Sequence, residues 1–201
     1  MCYNRMHRYF WQSVICQYLK IYICKTLPGG MIMTAKQEIR IRPMEQKDLA
    51  AVAALEAEIF TDAWSLPLWK ETLNSGRYDC QVLEPDPSEN SPESAGLLFG
   101  YFCGQVILDE GEIHRIAIRP DLRQRGYGQI LLTDFLARAE QAGVKTFLLE
   151  VRAGNEPAVA LYTKNGFARI ALRKSYYKNP KEDAFILQMK TRSSLRNTTT
   201  A

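Results

Sequence analysis

The sequence predicts a mixed α/β domain, one sheet flanked by helices. Two observations carry that expectation. Short apolar runs with strand-like alternation recur along the chain, and stretches with helical spacing lie between several of them, punctuated by Ser, Asn, Pro and Gly. The resulting order is β-α-α-β-β-β-α-β-α-β-β, with no internal repeat. The 201 residues suffice for one sizeable core plus some excess, and a hydrophobic content of 46% with 24% charged residues places the chain among globular proteins.

Residues 38–44, "EIRIRPM", alternate and read as a strand. Residues 45–60 place Leu49, Val52, Ala53, Glu56, Ile59 and Phe60 on one side of a helix. A second, short helix follows, with Ser65 as cap, Pro67 in its first turn and Gly76 at its end. "YDCQVLE" is a strand, and residues 85–96 are a polar loop rich in Pro and Ser. "LLFGYFCGQVILD" and "EIHRIAI" are strands joined by a turn at Glu110-Gly111. Gln124 to Ala142 is a helix with Leu131, Leu132, Phe135, Leu136 and Ala139 on one face and Gly143 as its stop. "TFLLEVR" is an apolar, hence central, strand. Asn155 caps a short helix ending at Gly166, and two strands joined at Lys178-Asn179-Pro180-Lys181 close the domain. The expected division is an N-terminal extension over 1–32 that is disordered or a mis-assigned start, a domain over 33–190 and a flexible tail over 191–201.

Charge narrows the function. The net +4 lies wholly in the first 32 residues, which hold Arg5, Arg8, Lys20 and Lys25 and no acid. From Met33 onward 22 basic residues face 22 acidic ones, which argues against a nucleic-acid-binding domain. The first 32 residues suit neither a signal peptide nor a membrane span, because Gln12, Ser13, Gln17 and Lys20 interrupt the apolar region. A native start at Met33 or Met31 is expected instead. Five cysteines without ligand spacing point to inert free thiols, no metal and a reducing, cytoplasmic setting.

Between "EIHRIAI" and the long helix stands "RQRGYGQ". A helix N-terminus offers unpaired N–H donors to an anion, Gly126 and Gly128 permit close approach, and Arg123 and Arg125 add charge. A Walker loop would end in Gly-Lys-Ser/Thr, which is missing, and a dinucleotide fingerprint would place glycine where Leu131 stands. A tight turn alone would also use Gly-x-Gly. Further on, Glu150 interrupts an apolar strand, and Tyr162 follows on the next helix. On spacing alone, Glu150 either pairs with Arg152 or Arg115 or does chemistry, and Tyr162 either packs or donates a proton.

"RIAIRPDLRQRGYGQILL", "LLEVRAGNEPAVALYTKNGF" and "RKSYYKNPKEDAFILQMK" together resemble the GNAT acetyltransferase superfamily, and within it the bacterial ribosomal-protein-alanine N-acetyltransferases (the RimI group) and the catalytic subunits of eukaryotic N-terminal acetyltransferases. The similarity runs from about Glu38 to Lys190. It implies the GNAT fold: a mixed, mostly antiparallel sheet whose central strands "EIHRIAI" and "TFLLEVR" splay apart around acetyl-CoA. By that resemblance Ile116, Ala117 and Ile118 pair with the pantetheine arm. Arg123, Gln124, Arg125, Gly126, Tyr127, Gly128 and Gln129 hold the pyrophosphate, and Asn155 lies near the thioester. Glu150 matches the general base and Tyr162 the general acid. Tyr176 and Tyr177 bind the peptide backbone, while Phe60 and Trp64 shape the pocket for the first side chain. Glu112 and His114 are secondary bases or water holders.

The reaction so implied moves acetyl from acetyl-CoA to a protein N-terminus, by resemblance the N-terminal alanine of small-subunit ribosomal protein eighteen. The enzyme is expected to be a cytoplasmic monomer without DNA or membrane partners. An α-amine has a pKa of about 7.7–8.0 against about 10.4 for lysine, so neutralising lysine near pH 7 costs about 3.5 kcal/mol more. A single carboxylate suits the easier task. Two alternatives stay open: a lysine or small-amine acetyltransferase, and a non-catalytic ribosome- or RNA-binding module on an acyl-CoA fold.

Overall fold

The computed structural model describes residues 18–26, 32–86 and 97–191, with side chains from Ile39 onward. Residues 1–17 and 27–31 of the expected extension, 87–96 of the polar loop and 192–201 of the tail lie outside the described residues. Among the described residues eight strands form one sheet: β1 (Tyr18–Thr26), β2 (Ile32–Pro43), β3 (Tyr78–Pro85), β4 (Gly100–Ile107), β5 (Glu110–Ile118), β6 (Thr146–Arg152), β7 (Ala168–Lys178) and β8 (Lys181–Lys190). Their order across the sheet is β1-β2-β3-β4-β5-β6-β8-β7, and β1 runs antiparallel to the outer edge of β2. Four α-helices accompany them among the described residues: α1 (Leu49–Ile59), α2 (Leu66–Ser75), α3 (Tyr127–Gln141) and α4 (Glu156–Lys164).

Local chemistry accounts for these boundaries. Ser65 accepts a hydrogen bond from the Leu68 N–H at 3.4 Å and opens α2, with Pro67 in the first turn. Asn155 does the same for α4, accepting from Ala158 N–H at 3.2 Å. Three expectations need correction. Residues 46–48 form a 3-10 turn before α1, closed by Asp48 reaching back to the Glu45 N–H at 2.8 Å. The β4–β5 turn is Leu108-Asp109 rather than Glu110-Gly111, which already pair within the sheet. The long helix begins at Tyr127, not Gln124, because Gln124 and Gly126 both take positive φ, at 61° and 84°.

Two hydrophobic layers sit on opposite faces of the sheet. On one, α3 and α4 cover Phe102, Ile113, Phe147, Leu149 and Val151. On the other, α1 and α2 cover Val82, Tyr101, Cys103 and Ala117, with Trp69 fully buried against Tyr101 at 5.3 Å between ring centroids. Cys80 and Cys103 are free, buried neighbours in this layer.

The feature that makes a site lies in the middle. The strands β5 and β6 pair in parallel over only four residues each, Glu110–Ile113 against Thr146–Leu149. Past that point β5 pairs only with β4 and β6 only with β8. A bulge between Cys103 and Gly104 leaves His114 opposite no residue at the point of divergence. The sheet therefore opens between Arg115–Ile118 and Glu150–Arg152, as the expected splay requires.

Candidate active site

At the head of the opening, β5 runs through a 3-10 turn, Pro120–Leu122, into α3. Gly126 occupies the N-cap, and no side chain caps the helix. Its φ of 84° is the reason for glycine there, since a Cβ would meet nothing within 4 Å. Gly128 differs: its φ is ordinary, and a Cβ would touch only Leu161 Cδ2 at 3.5 Å and Ile118 Cγ1 at 3.9 Å. An uncapped N-terminus with a bare backbone fits the pyrophosphate of acetyl-CoA. Side chains in the loop are committed in part. Tyr127 is buried and packs against Phe99 at 5.6 Å. Gln129 exchanges hydrogen bonds with Asn165, and Arg123 donates to the Ile118 carbonyl at 3.2 Å. Arg125 donates to the Asp121 carbonyl at 3.0 Å. What this loop offers an anion is mainly its backbone and two exposed or half-buried guanidinium groups. Ile116, Ala117 and Ile118 line the open edge of β5, paired on their other side with Phe102, Tyr101 and Gly100.

Glu150 stands one residue past the last β5–β6 pair, on the face opposite Leu149 and Val151. Its carboxylate is bound by Arg173 of β7, not by Arg152 or Arg115, and its side chain remains 30% exposed. Arg173 lies over the Tyr176 ring at 4.2 Å, and the Tyr176 hydroxyl, hydrogen-bonded to Glu150, is shifted to a higher pKa by that bond. Tyr177, 5.1 Å from Tyr176, is pushed up to about 12 by burial and by the charge of Asp62. Tyr162 is buried in the other layer, against Phe167 at 5.7 Å. Burial and Tyr177 raise its pKa, so its proton is firmly held. Glu150 and Tyr162 thus lie on opposite sides of the sheet, Tyr162 in the layer that covers Leu149 and Val151. Asn155 spends its carbonyl oxygen on the helix cap.

Phe60 and Trp64 converge over Arg115, whose guanidinium lies 5.0 Å and 5.1 Å from their rings. Arg115 also donates to Glu56 at 3.0 Å and to Asp62 at 3.2 Å. Glu56 is fully buried, and it accepts from the Tyr101 hydroxyl and from the Trp64 N–H at 3.0 Å as well. Arg152 donates to Thr61 at 2.8 Å and to Glu182 at 3.1 Å, reaches Asp62 at 3.5 Å, and covers the Tyr177 ring at 3.9 Å. His114 lies between Trp64 and Tyr78, 3.8 Å from Glu112, and burial lowers its pKa.

Glu56, Asp62, Arg152 and Arg173 were missed as site residues by sequence reasoning. One signal was present: an acid at position 56, inside an apolar helix stripe, demands a buried partner. Asp62 and Arg173 carried none, since their partners lie far away in the chain. Among the described residues no group of three or more side chains is arranged to hold a metal ion, and no helix is long and apolar enough to cross a membrane.

With this geometry in place, the comparisons with known proteins are consistent. The profile of the Acetyltransferase (GNAT) family matches residues 49–167. The [ribosomal protein bS18]-alanine N-acetyltransferase of Escherichia coli K12 is 32% identical over 151 residues, 74% of this chain and 95% of that protein. The N-alpha-acetyltransferase RimI of Mycobacterium tuberculosis is 32% identical over 163 residues, 78% of this chain and 96% of that protein. Among solved structures, the ribosomal-protein-S18-alanine N-acetyltransferase from Escherichia coli superposes with a TM-score of 0.65 at 30% identity, covering 76% of this chain and 93% of that one. Arabidopsis thaliana NAA60 in complex with acetyl-CoA superposes at 0.67 with 18% identity, over 76% of this chain and 98% of that one, which is a likeness of fold.

Proposed function

Since the chain belongs to the GNAT acetyltransferase family and is an N-acetyltransferase that uses acetyl-CoA, we propose that its acceptor is a protein N-terminal α-amine, the N-terminal alanine of ribosomal protein bS18 foremost. One observation carries the reading. The β5–β6 pairing stops at Ile113 and Leu149, and the next residue of β6 is a half-buried carboxylate flanked by two tyrosines of the β7–β8 hairpin. The names of the relatives at 32% identity favour the same acceptor.

Acetyl-CoA supplies the activated acetyl thioester when bound, with the first turn of α3 and the open edge of Arg115–Ile118 as its supports. Glu150 takes a proton from the incoming ammonium, displacing Arg173 as its counter-ion. Tyr162 supports the departing sulfur. A tyrosine at about 10 is already less acidic than a thiol at about 8.5, and burial widens that gap. Its part is therefore to donate a hydrogen bond to sulfur as charge develops, more than to surrender its proton. Phe60 and Trp64 bound the first side chain, and Tyr176 and Tyr177 hold the peptide backbone.

The test is thiol release from acetyl-CoA with peptides beginning Ala, Ser or Met, each with a free or a blocked N-terminus, followed by mass spectrometry. Acetyl on the free α-amine of the Ala peptide is the expected result. Acetyl on lysine alone would turn the reading toward a side-chain acetyltransferase, and RNA binding without any thiol release would remove the catalytic assignment.

A further inference from the structure

The two walls assigned to the acceptor come from distant parts of the chain: the segment 60–65 between α1 and α2, and the β7–β8 hairpin. One carboxylate and two guanidinium groups join them across the open sheet. Asp62 accepts from Arg115 of β5 at 3.2 Å and from Arg152 of β6 at 3.5 Å. The two strands diverge between those arginines, so Asp62 spans the gap the sheet leaves. Arg152 continues the chain of contacts into the hairpin, donating to Glu182 at 3.1 Å and to the Asn179 and Pro180 carbonyls at 3.3 and 3.4 Å. Arg115 continues it inward to the buried Glu56.

We infer that Asp62 is a positioning residue for acetyl transfer: its carboxylate ties the diverging parts of β5 and β6 together on the acceptor side and sets the separation of the pocket walls. The inference rests on the reading of these segments as acceptor walls. Asp62 does not itself receive the substrate ammonium, because both of its oxygens already face guanidinium groups. Backbone contacts at Asp62 do not explain the arrangement either. The carbonyl of Asp62 accepts separately from Arg115 at 3.1 Å, so the loop stays attached when the side chain is altered. The bridge is partly exposed, with Asp62 at 40% against 16% and 19% for the two arginines, and salt should weaken it.

Asp62→Asn keeps the shape and removes the charge. With the peptide that the wild-type enzyme acetylates, this variant should raise the peptide KM about five- to tenfold at low salt. Its kcat and acetyl-CoA KM should stay within about twofold. Raising salt from about 0.05 M to about 0.5 M should move the wild-type peptide KM toward that of the variant and leave the variant unchanged. A double-mutant cycle with Arg152→Gln should be non-additive. An unchanged peptide KM would overturn the inference. So would a parallel rise in acetyl-CoA KM with a lowered melting temperature, which is the signature of a merely structural ion pair. If wild type acetylates lysine rather than N-termini, the N-terminal reading fails alone, and the same measurements on that acceptor still decide the role of Asp62.

Discussion

Glu150 and Tyr162 carry different weights at the scale of single residues. Glu150 sits in reach of solvent with a half-exposed counter-ion, so Glu150→Gln, which removes the proposed base, should cut kcat by about 10²–10⁴-fold. Tyr162→Phe removes the donor proposed for the departing sulfur and should cost about 10²-fold. Both variants should bind acetyl-CoA nearly as wild type does, as isothermal titration can show. His114 offers a pH test apart from catalysis. Burial holds its folded pKa below the ordinary value, so the unfolded chain binds the proton more readily. Its neighbours Glu112 and Arg115 act in opposite senses on that shift, and Trp64 and Tyr78 supply the covering rings. Stability is then fully present above about pH 6.5 and falls as the pH drops below it. Melting curves of His114→Phe should lose that acid-side decline between about pH 7 and about pH 5. Glu150 was legible in the sequence as an acid breaking an apolar strand, but its partner was not. Arg152 and Arg115 are its neighbours by spacing, whereas Arg173 arrives through the β6–β8–β7 order, which no local pattern encodes.

Secondary elements account for much of what could be read in advance. Caps at Ser65 and Asn155 and the α3 stripe were readable because they depend on contacts a few residues apart. The start of α3 was not, since positive φ at Gln124 delays the helix while leaving its composition unchanged. The two glycines of that turn predict opposite outcomes. Gly126→Ala must adopt a left-handed backbone and should lose about 1–2 kcal/mol in urea unfolding. Gly128→Ala meets only ordinary contacts and should unfold as wild type does or slightly later. Helix α1 depends on its buried acid. Glu56→Ala would take from Arg115 its buried partner, leaving it Asp62 alone, and would strip the Tyr101 hydroxyl of its acceptor; a loss of about 3–5 kcal/mol is expected by the same method.

On the scale of the whole molecule, the order of elements predicted the class of fold, and the ordered motifs from Glu38 to Lys190 predicted the family that the comparisons show. The clamp of Asp62, Arg115 and Arg152 was invisible because it joins three segments up to 90 residues apart. A chain begun at Met33 keeps every residue assigned to the site, and its rate of thiol release should match that of the full chain within about twofold. The four-residue seam between β5 and β6 has a further consequence. The domain is two half-sheets sewn by a short parallel stitch, and the stitch ends where the proposed binding cleft begins. A ligand seated there lends stability by mass action, about 2.7 kcal/mol at a hundredfold excess over Kd. Amide hydrogen exchange should show where that gain is lodged: slowing along Arg115–Ile118 and Glu150–Arg152, and little change in the outer strands β2 and β3.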